Sequence, residues 1–168
     1  MTSLGAPSEM QNARSNAWRA AVPRPPWTDE RLVREKCTSC GDCIRACPES
    51  ILFAGPANTP TIDFKAGGCV FCGDCALACN EGVFRDTDAA PWTLVATVRT
   101  DCFLNRGVSC QSCTDACDET AIIFDIRAGK VGAVKVVAGE CTGCGACVGS
   151  CPASAIHLIS HSQQGVAV

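Results

Sequence analysis

CTSCGDCIRACP, residues 37–48, spaces its cysteines at steps of three, three and four, and the rhythm returns twice. CVFCGDCALACN at 69–80 and CTGCGACVGSCP at 141–152 repeat it without deviation. Cys37, Cys40, Cys43 and Cys47 thus match Cys69, Cys72, Cys75 and Cys79, and again Cys141, Cys144, Cys147 and Cys151, each reading C-x2-C-x2-C-x3-C. A fourth group, CFLNRGVSCQSCTDAC at 102–117, keeps only the tail, with Cys110, Cys113 and Cys117 in register. Gly107 stands where its first cysteine belongs, and Cys102 lies five positions earlier. All 16 cysteines of the 168 residues fall into these four groups.

Disulfide frameworks belong to oxidising compartments. The segment MTSLGAPSEMQNARSNAWRAAVPRPPW has no apolar core of signal-peptide length, and Arg14, Arg19 and Arg24 are never adjacent, so no twin-arginine signal is expected. Structural zinc uses two C-x2-C knuckles separated by a longer loop around one tetrahedral ion. Three cysteines at successive three-residue steps do not suit that geometry.

They do suit a cubane. In the bacterial ferredoxin run, the three cysteines of C-x2-C-x2-C wrap one [4Fe–4S] cluster, and the fourth ligates the other cluster of a pair. The x3 step is an i, i+4 step, which carries the last sulfur to the far side of a short helix. Gly41, Gly73, Gly143 and Gly145 sit inside the loops, where a bare backbone can adopt positive φ. By this crossing rule Cys37, Cys40 and Cys43 share a cluster with Cys79, and Cys69, Cys72 and Cys75 with Cys47. In the second pair Cys102, Cys110 and Cys113 go with Cys151, and Cys141, Cys144 and Cys147 with Cys117. Four [4Fe–4S] clusters are expected. The trailing proline of such motifs is present at Pro48 and Pro152; Asn80 and Asp118 replace it elsewhere.

Two states are open for Cys102: a ligand on a stretched loop, or a buried thiol beside a three-ligand site. Lengthening the loop from two residues to seven costs about 1 kcal/mol of closure entropy, at roughly 0.6 per doubling. Metal–thiolate binding contributes far more, roughly 10–16 kcal/mol in the analogous case of structural zinc. Ligation is therefore the favoured reading, and the longer loop predicts that this site is the most exposed and labile of the four.

The apolar share is 47 %, but without cysteine roughly 37–38 % remains, thin for a packed core. Such a chain is expected to lean on metal for its stability. The formal charge of -3 grows more negative with clusters, each about -2 with its thiolates, which argues against nucleic acid as a partner. No run of eighteen apolar residues exists, so no membrane span is expected. No nucleophile triad, phosphate loop or dinucleotide fingerprint is present, and an enzyme is not expected. His157 and His161 are not needed as ligands.

The halves repeat: FKAGGCVFCGDCALAC and VVAGECTGCGACVGSC align without a gap. In the second half WTLVATV, AIIFDI, GAVKVVA and AIHLI read as strands flanking cluster loops and short helices, in a βαββαβ order. The first half offers SILFA, TIDF and VFR. The fold class predicted is α+β: two tandem bacterial-type 2[4Fe–4S] ferredoxin-like modules, small and loop-rich. Residues 37–90 form the first module and 91–160 the second, with the break near DTDAAPW at 86–92. Residues 1–36 are an N-terminal extension and 161–168 a tail. Within the extension PRPPW, residues 23–27, favours extended polyproline geometry; Trp27 either packs on the first module or docks a partner.

From RPPW at 24–27 to SAIHLI at 154–159 the sequence resembles the NapF family, ferredoxin-type accessory proteins encoded with periplasmic nitrate reductases. The similarity includes the set-back cysteine of DCFLNRGVSCQSC, followed by AIIF, and implies that Cys102 is a working ligand. It further implies a soluble cytoplasmic protein with four [4Fe–4S] clusters. Its partner would be the immature catalytic subunit of the nitrate reductase, and its role maturation of that subunit before export, through iron–sulfur loading or electron supply. The alternative is a general electron-transfer ferredoxin, or the electron-transfer subunit of another oxidoreductase.

Overall fold

The computed structural model describes residues 23–160. Arg14, Arg19, His161 and the 161–168 tail lie outside the described residues. The architecture is α+β and loop-rich. In chain order it comprises α1 (Glu30–Lys36), α2 (Asp42–Arg45), β1 (Leu52–Ala54), β2 (Pro60–Ile62), α3 (Asp74–Leu77), β3 (Leu94–Val98), α4 (Ser112–Asp115), β4 (Ile122–Asp125), β5 (Ala133–Val136), α5 (Ala146–Ser150) and β6 (Ile156–Ser160). Short 3-10 turns lie at Pro56–Asn58 and Phe103–Arg106.

The second half has the expected βαββαβ order. Its outer strands β3 and β6 pair antiparallel, Val95 opposite Ile159 and Thr97 opposite His157, although sixty residues of chain separate them. Its inner strands form a hairpin with Ile122 opposite Val136. The first half repeats the hairpin, with Leu52 opposite Ile62. It lacks the outer ladder, and VFR at 83–85 forms no strand. PRPPW lies beside it instead, and proline has no N–H to donate to a ladder. What remains are isolated bonds: Arg85 N–H donates to the Trp27 carbonyl at 2.7 Å and Ile62 N–H to the Pro23 carbonyl at 2.9 Å.

Residues 23–36 are bolted to the first half. Arg24 donates to Thr59 Oγ1 and the Pro60 carbonyl, both at 2.8 Å, and pairs with Glu30 at 2.7 Å. That guanidinium holds the Glu30 carboxyl below its ordinary pKa. The helix α1, which hydrophobic periodicity did not reveal, starts at an Asp29 cap accepting from Leu32 N–H and carries basic Arg34 and Lys36 in its last turn. Val33 from its inner face is 1 % exposed. Trp27 is 4 % exposed, and its indole Nε1 donates to the Ala89 carbonyl at 2.8 Å. Its ring is therefore packed and not presented to a partner.

The core is as thin as composition implied. One buried group gathers Ile51, Leu52, Ile62 and Phe64 with Cys43 and Cys75. The other gathers Ala96, Ile122 and Ile156 with Cys113 and Cys147. Cysteines thus occupy the middle of both, and the partly buried Val148 and Leu158 border both groups. With so little apolar volume, removal of one large ring is costly. Trp27→Ala is expected to destabilise the protein by about 3–5 kcal/mol, read from the denaturant midpoint under anaerobic conditions.

Candidate iron–sulfur centres

The three regular motifs share a backbone device. The first x2 pair ends on a left-handed residue, Ser39 (φ +60°), Phe71 (φ +54°) or Gly143 (φ +72°). The second begins on a left-handed glycine, Gly41 (φ +77°), Gly73 (φ +81°) or Gly145 (φ +84°). Two reversals of twist within seven residues curl the loop, so successive sulfurs face a common hollow. At Gly145 no side chain fits, since a Cβ would lie 2.0 Å from Phe64 Cδ1. A third left-handed residue follows the last cysteine by three positions in all four groups: Ser50, Gly82, Thr120 and Ser154. The N–H groups of Ser50, Thr120 and Ser154 close this turn on the carbonyls of Cys47, Cys117 and Cys151 at 3.0–3.1 Å. The sequence marks Gly41, Gly73, Gly143 and Gly145 but not Gly82, Ser39, Phe71, Ser50, Thr120 or Ser154. Left-handed backbone costs such residues about 1–2 kcal/mol, and only their fixed offset from the cysteines marks them.

The short helices α2 to α5 then carry the fourth cysteine of each group across to its partner loop. Cys37, Cys40, Cys43 and Cys79 line one hollow, open to solvent at its mouth. Cys47, Cys69, Cys72 and Cys75 line a second, walled by Trp27 and Pro26. Cys102, Cys110, Cys113 and Cys151 line a third. Around Cys147 gather Cys144, Cys141 and Cys117, with Cys113 of the neighbouring quartet beyond them. These are the four sets expected from the crossing rule. In three of the sets the four cysteines line one hollow. Among the described residues no three His, Cys, Asp or Glu side chains come together as a single ion would require. A cubane asks for the spread arrangement, because each thiolate takes its own iron.

Cys102 reaches its hollow by a compact route. FLNR folds as the 3-10 turn, with Leu104 buried and Gly107 closing it at φ +77°. Cys102 N–H donates to the Arg99 carbonyl at 3.2 Å, and its own carbonyl accepts from Asn105 N–H at 3.0 Å. The expectation of greatest exposure is overturned here. Cys40 and Cys72 of the first two groups are the exposed cysteines, whereas Cys102 and Cys110 are half-buried. Phe103 and Leu104 of the insertion line the hollow beside Cys102, while residues 105–109 stay exposed. Its sequence mark is Gln111, which takes the position of Gly41, Gly73 and Gly145 with φ −132° and no left-handed turn. His157 is exposed on β6, away from any sulfur hollow but the rim of the inter-half groove.

Backbone N–H groups point at several sulfurs. Ser39 donates to Cys37 Sγ at 3.4 Å, Ala96 to Cys141 Sγ at 3.4 Å and Ala155 to Cys151 Sγ at 3.3 Å. Burial, with the neighbouring sulfurs adding to it, pushes the Cys43, Cys69 and Cys113 thiols from the ordinary 9.0 up to about 11. Cys75 and Cys147 are pushed up to about 12 by the same cause. At neutral pH these thiols hold their protons unless a metal displaces them.

The sequence profile of the 4Fe-4S dicluster domain family matches residues 36–83 and again 107–155. The second match starts beyond Cys102. Among curated relatives, the ferredoxin-type protein NapF of Haemophilus influenzae is 40 % identical over 136 residues, covering 80 % of this chain and 77 % of that protein. The ferredoxin-type protein NapF of Escherichia coli K12 is 39 % identical over 142 residues, covering 83 % and 87 %. Two dicluster domains and 16 cysteines fit four [4Fe–4S] clusters.

Two outcomes follow from this geometry. Cys102→Ser should alter one cluster and spare three, giving a [3Fe–4S]-type electron paramagnetic resonance signal or a loss of about four iron. An unchanged spectrum and iron count would remove Cys102 from the site. The second outcome concerns pH. A thiol with a raised folded pKa favours the metal-free fold below 9.0 and opposes it as pH climbs through 11–12. The metal-bound thiolate has the reverse demand, so acid should expel the clusters. Visible absorbance is expected to fall progressively on acidification from neutral pH and to hold in mild alkali.

Proposed function

The chain belongs to the NapF family of ferredoxin-type proteins, and from that membership we propose that it acts in the cytoplasm on the immature catalytic subunit of the periplasmic nitrate reductase. In this proposal all sixteen cysteines are ligands, in the four quartets described above, and Cys102 is among them. The action is maturation before export, by iron–sulfur loading or electron supply, without turnover of a substrate by this chain. Residues 37–90 and 91–160 are its two cluster modules, residues 1–36 its extension and 161–168 its tail. The observation that carries the proposal is Cys102 seated in one hollow with Cys110, Cys113 and Cys151, on a chain 39–40 % identical to NapF proteins.

When bound, [4Fe–4S] clusters supply reversible one-electron chemistry. The chain's own part is to bind, tune and shield. The cysteines bind as thiolates. The N–H groups of Ser39, Ala96 and Ala155 place positive dipole ends against sulfur, which favours the more negative, reduced state. Trp27 and Pro26 wall one side of the Cys47, Cys69, Cys72 and Cys75 hollow, while Cys40 and Cys72 remain exposed edges at which a partner can approach. Among the described residues no helix is long and apolar enough to cross a membrane.

Anaerobically purified protein should contain about sixteen iron and sixteen sulfide per chain. Deletion of its gene should leave the reductase catalytic subunit short of its iron–sulfur cluster and retained in the cytoplasm, and the tagged protein should capture that subunit before export. A fully loaded, normally exported subunit in the deletion strain would leave the general electron-carrier role in its place.

A further inference from the structure

The four cysteine groups carry different chemistry at one matched position. Two residues after the third cysteine stand Arg45, Leu77, Asp115 and Gly149, all exposed. The first three each close a four-residue helix, α2, α3 or α4. One site of four thus has a cation there, one an aliphatic chain, one an anion and one no side chain. The Arg45 guanidinium turns back over its own cluster loop. Its Nη1 donates to the Cys40 carbonyl at 3.2 Å, and its Nη2 pairs with the Asp42 carboxylate. Gly41 leaves room for this fold-back, since a Cβ there would crowd Nη1 at 3.1 Å. Cys40 is one of the two exposed cysteines, so the charge stands where its site is least covered. Beside Cys79, on the other side of the hollow, the charges of Lys36 and Glu81 offset each other.

Carbonyl and sulfur of one residue are only a few bonds apart. The guanidinium therefore lies within about 10 Å of the Cys40 sulfur, the screening length in dilute salt. A [4Fe–4S] site with four thiolates becomes more negative on reduction, and a fixed cation at that range stabilises the reduced form more than the oxidised one. The second site is the comparison within the same chain. Cys72 is the other exposed cysteine, Gly73 repeats the left-handed turn of Gly41, and Asp74 stands where Asp42 does. The cation is missing from this arrangement: Leu77, 81 % exposed, takes its place. The space above Gly73 is open, the nearest neighbour of an added Cβ being Thr87 Cγ2 at 3.9 Å.

We propose that Arg45, folded over the Cys40 edge and held there by Asp42, raises the reduction potential of the Cys37, Cys40, Cys43 and Cys79 site above the value that these ligands give without it. The proposal deepens the four-cluster reading and rests on it. On reduction the site takes one electron from a one-electron donor such as a reduced viologen, which is oxidised by one. No bond or proton changes. Arg45 takes no part in the transfer; its charge lowers the energy of the added electron. Charge at one helix end thereby distinguishes a site whose ligand spacing is the same as that of two others.

The test uses the full chain, loaded anaerobically, as wild type, Arg45→Gln, Arg45→Lys and Leu77→Arg. None of the substituted residues is a ligand. Iron and sulfide are counted first, and a wild type short of sixteen iron overturns the four-cluster reading itself. Potentiometric titration with viologen mediators, followed by electron paramagnetic resonance, then gives the midpoint potentials in dilute salt and in about 1 M salt. Arg45→Gln is expected to lower one midpoint and leave the others in place, and Arg45→Lys to keep most of the wild-type value. Leu77→Arg, which can pair with Asp74 as Arg45 does with Asp42, is expected to raise a different midpoint. Both displacements should shrink in concentrated salt, which a change in packing would not. Wild-type midpoints in Arg45→Gln at sixteen iron, or a displacement that salt leaves unchanged, overturn the proposal. Should Arg45→Gln lose iron, Leu77→Arg decides, and unmoved midpoints there overturn it.

Discussion

Buried thiolates are unstable without a cation, and this fold places four of its cysteines, Cys43, Cys75, Cys113 and Cys147, at the centre of its two cores. That is the constraint to which the remaining structure answers. Without metal the thiols hold their protons, at pKa values near 11 and 12, and the cores close on polarisable but uncharged sulfur. With metal, negative charge is admitted to the middle of a chain whose aliphatic packing is too thin to shield it alone. Dipoles supply the difference. Peptide N–H groups are turned toward sulfur by left-handed residues, and the cost of that backbone, about 1–2 kcal/mol for each non-glycine, is small against metal–thiolate binding.

The halves solve the same problem with different material. In the second half a strand, β3, lies against the Cys141 loop and donates Ala96 N–H to sulfur. In the first half the corresponding place is taken by PRPPW. Proline supplies no ladder hydrogen bonds but a stiff, preorganised wall, and Trp27 supplies the volume that a strand's side chains would have given. The strand expected at VFR is lost as a consequence, since one hydrogen bond to Trp27 does not make a ladder.

The displaced cysteine follows the same logic. A regular motif needs two left-handed positions, and the third group has Gln111 at one of them. With that turn gone, a cysteine at 107 would not face the hollow by the usual curl. The 3-10 turn of FLNR swings Cys102 in from the other side, and Leu104 packs beneath it. The insertion is thus anchored at its first turn, and Cys102 is less exposed than Cys40 and Cys72.

Cysteine spacing by itself determined the cofactor class, the four-fold grouping, the module repeat and the crossing of the fourth cysteine. These depend on short-range geometry: steps of three and four residues set sulfur directions whatever the rest of the chain does. β-Branched runs such as WTLVATV and AIHLI likewise marked the second half's strands. What tertiary structure alone decided was non-local. Whether Trp27 faces inward depends on Ala89 and Phe71, far away in sequence. Whether VFR becomes a strand depends on which segment comes to lie beside it. The meeting of Cys69 with Cys144 depends on small residues at 68 and 146 that read as ordinary loop spacers in one dimension. Local spacing records which atoms belong to one site; only the folded chain fixes which sites are neighbours, because that follows from packing between segments that carry no mark of each other.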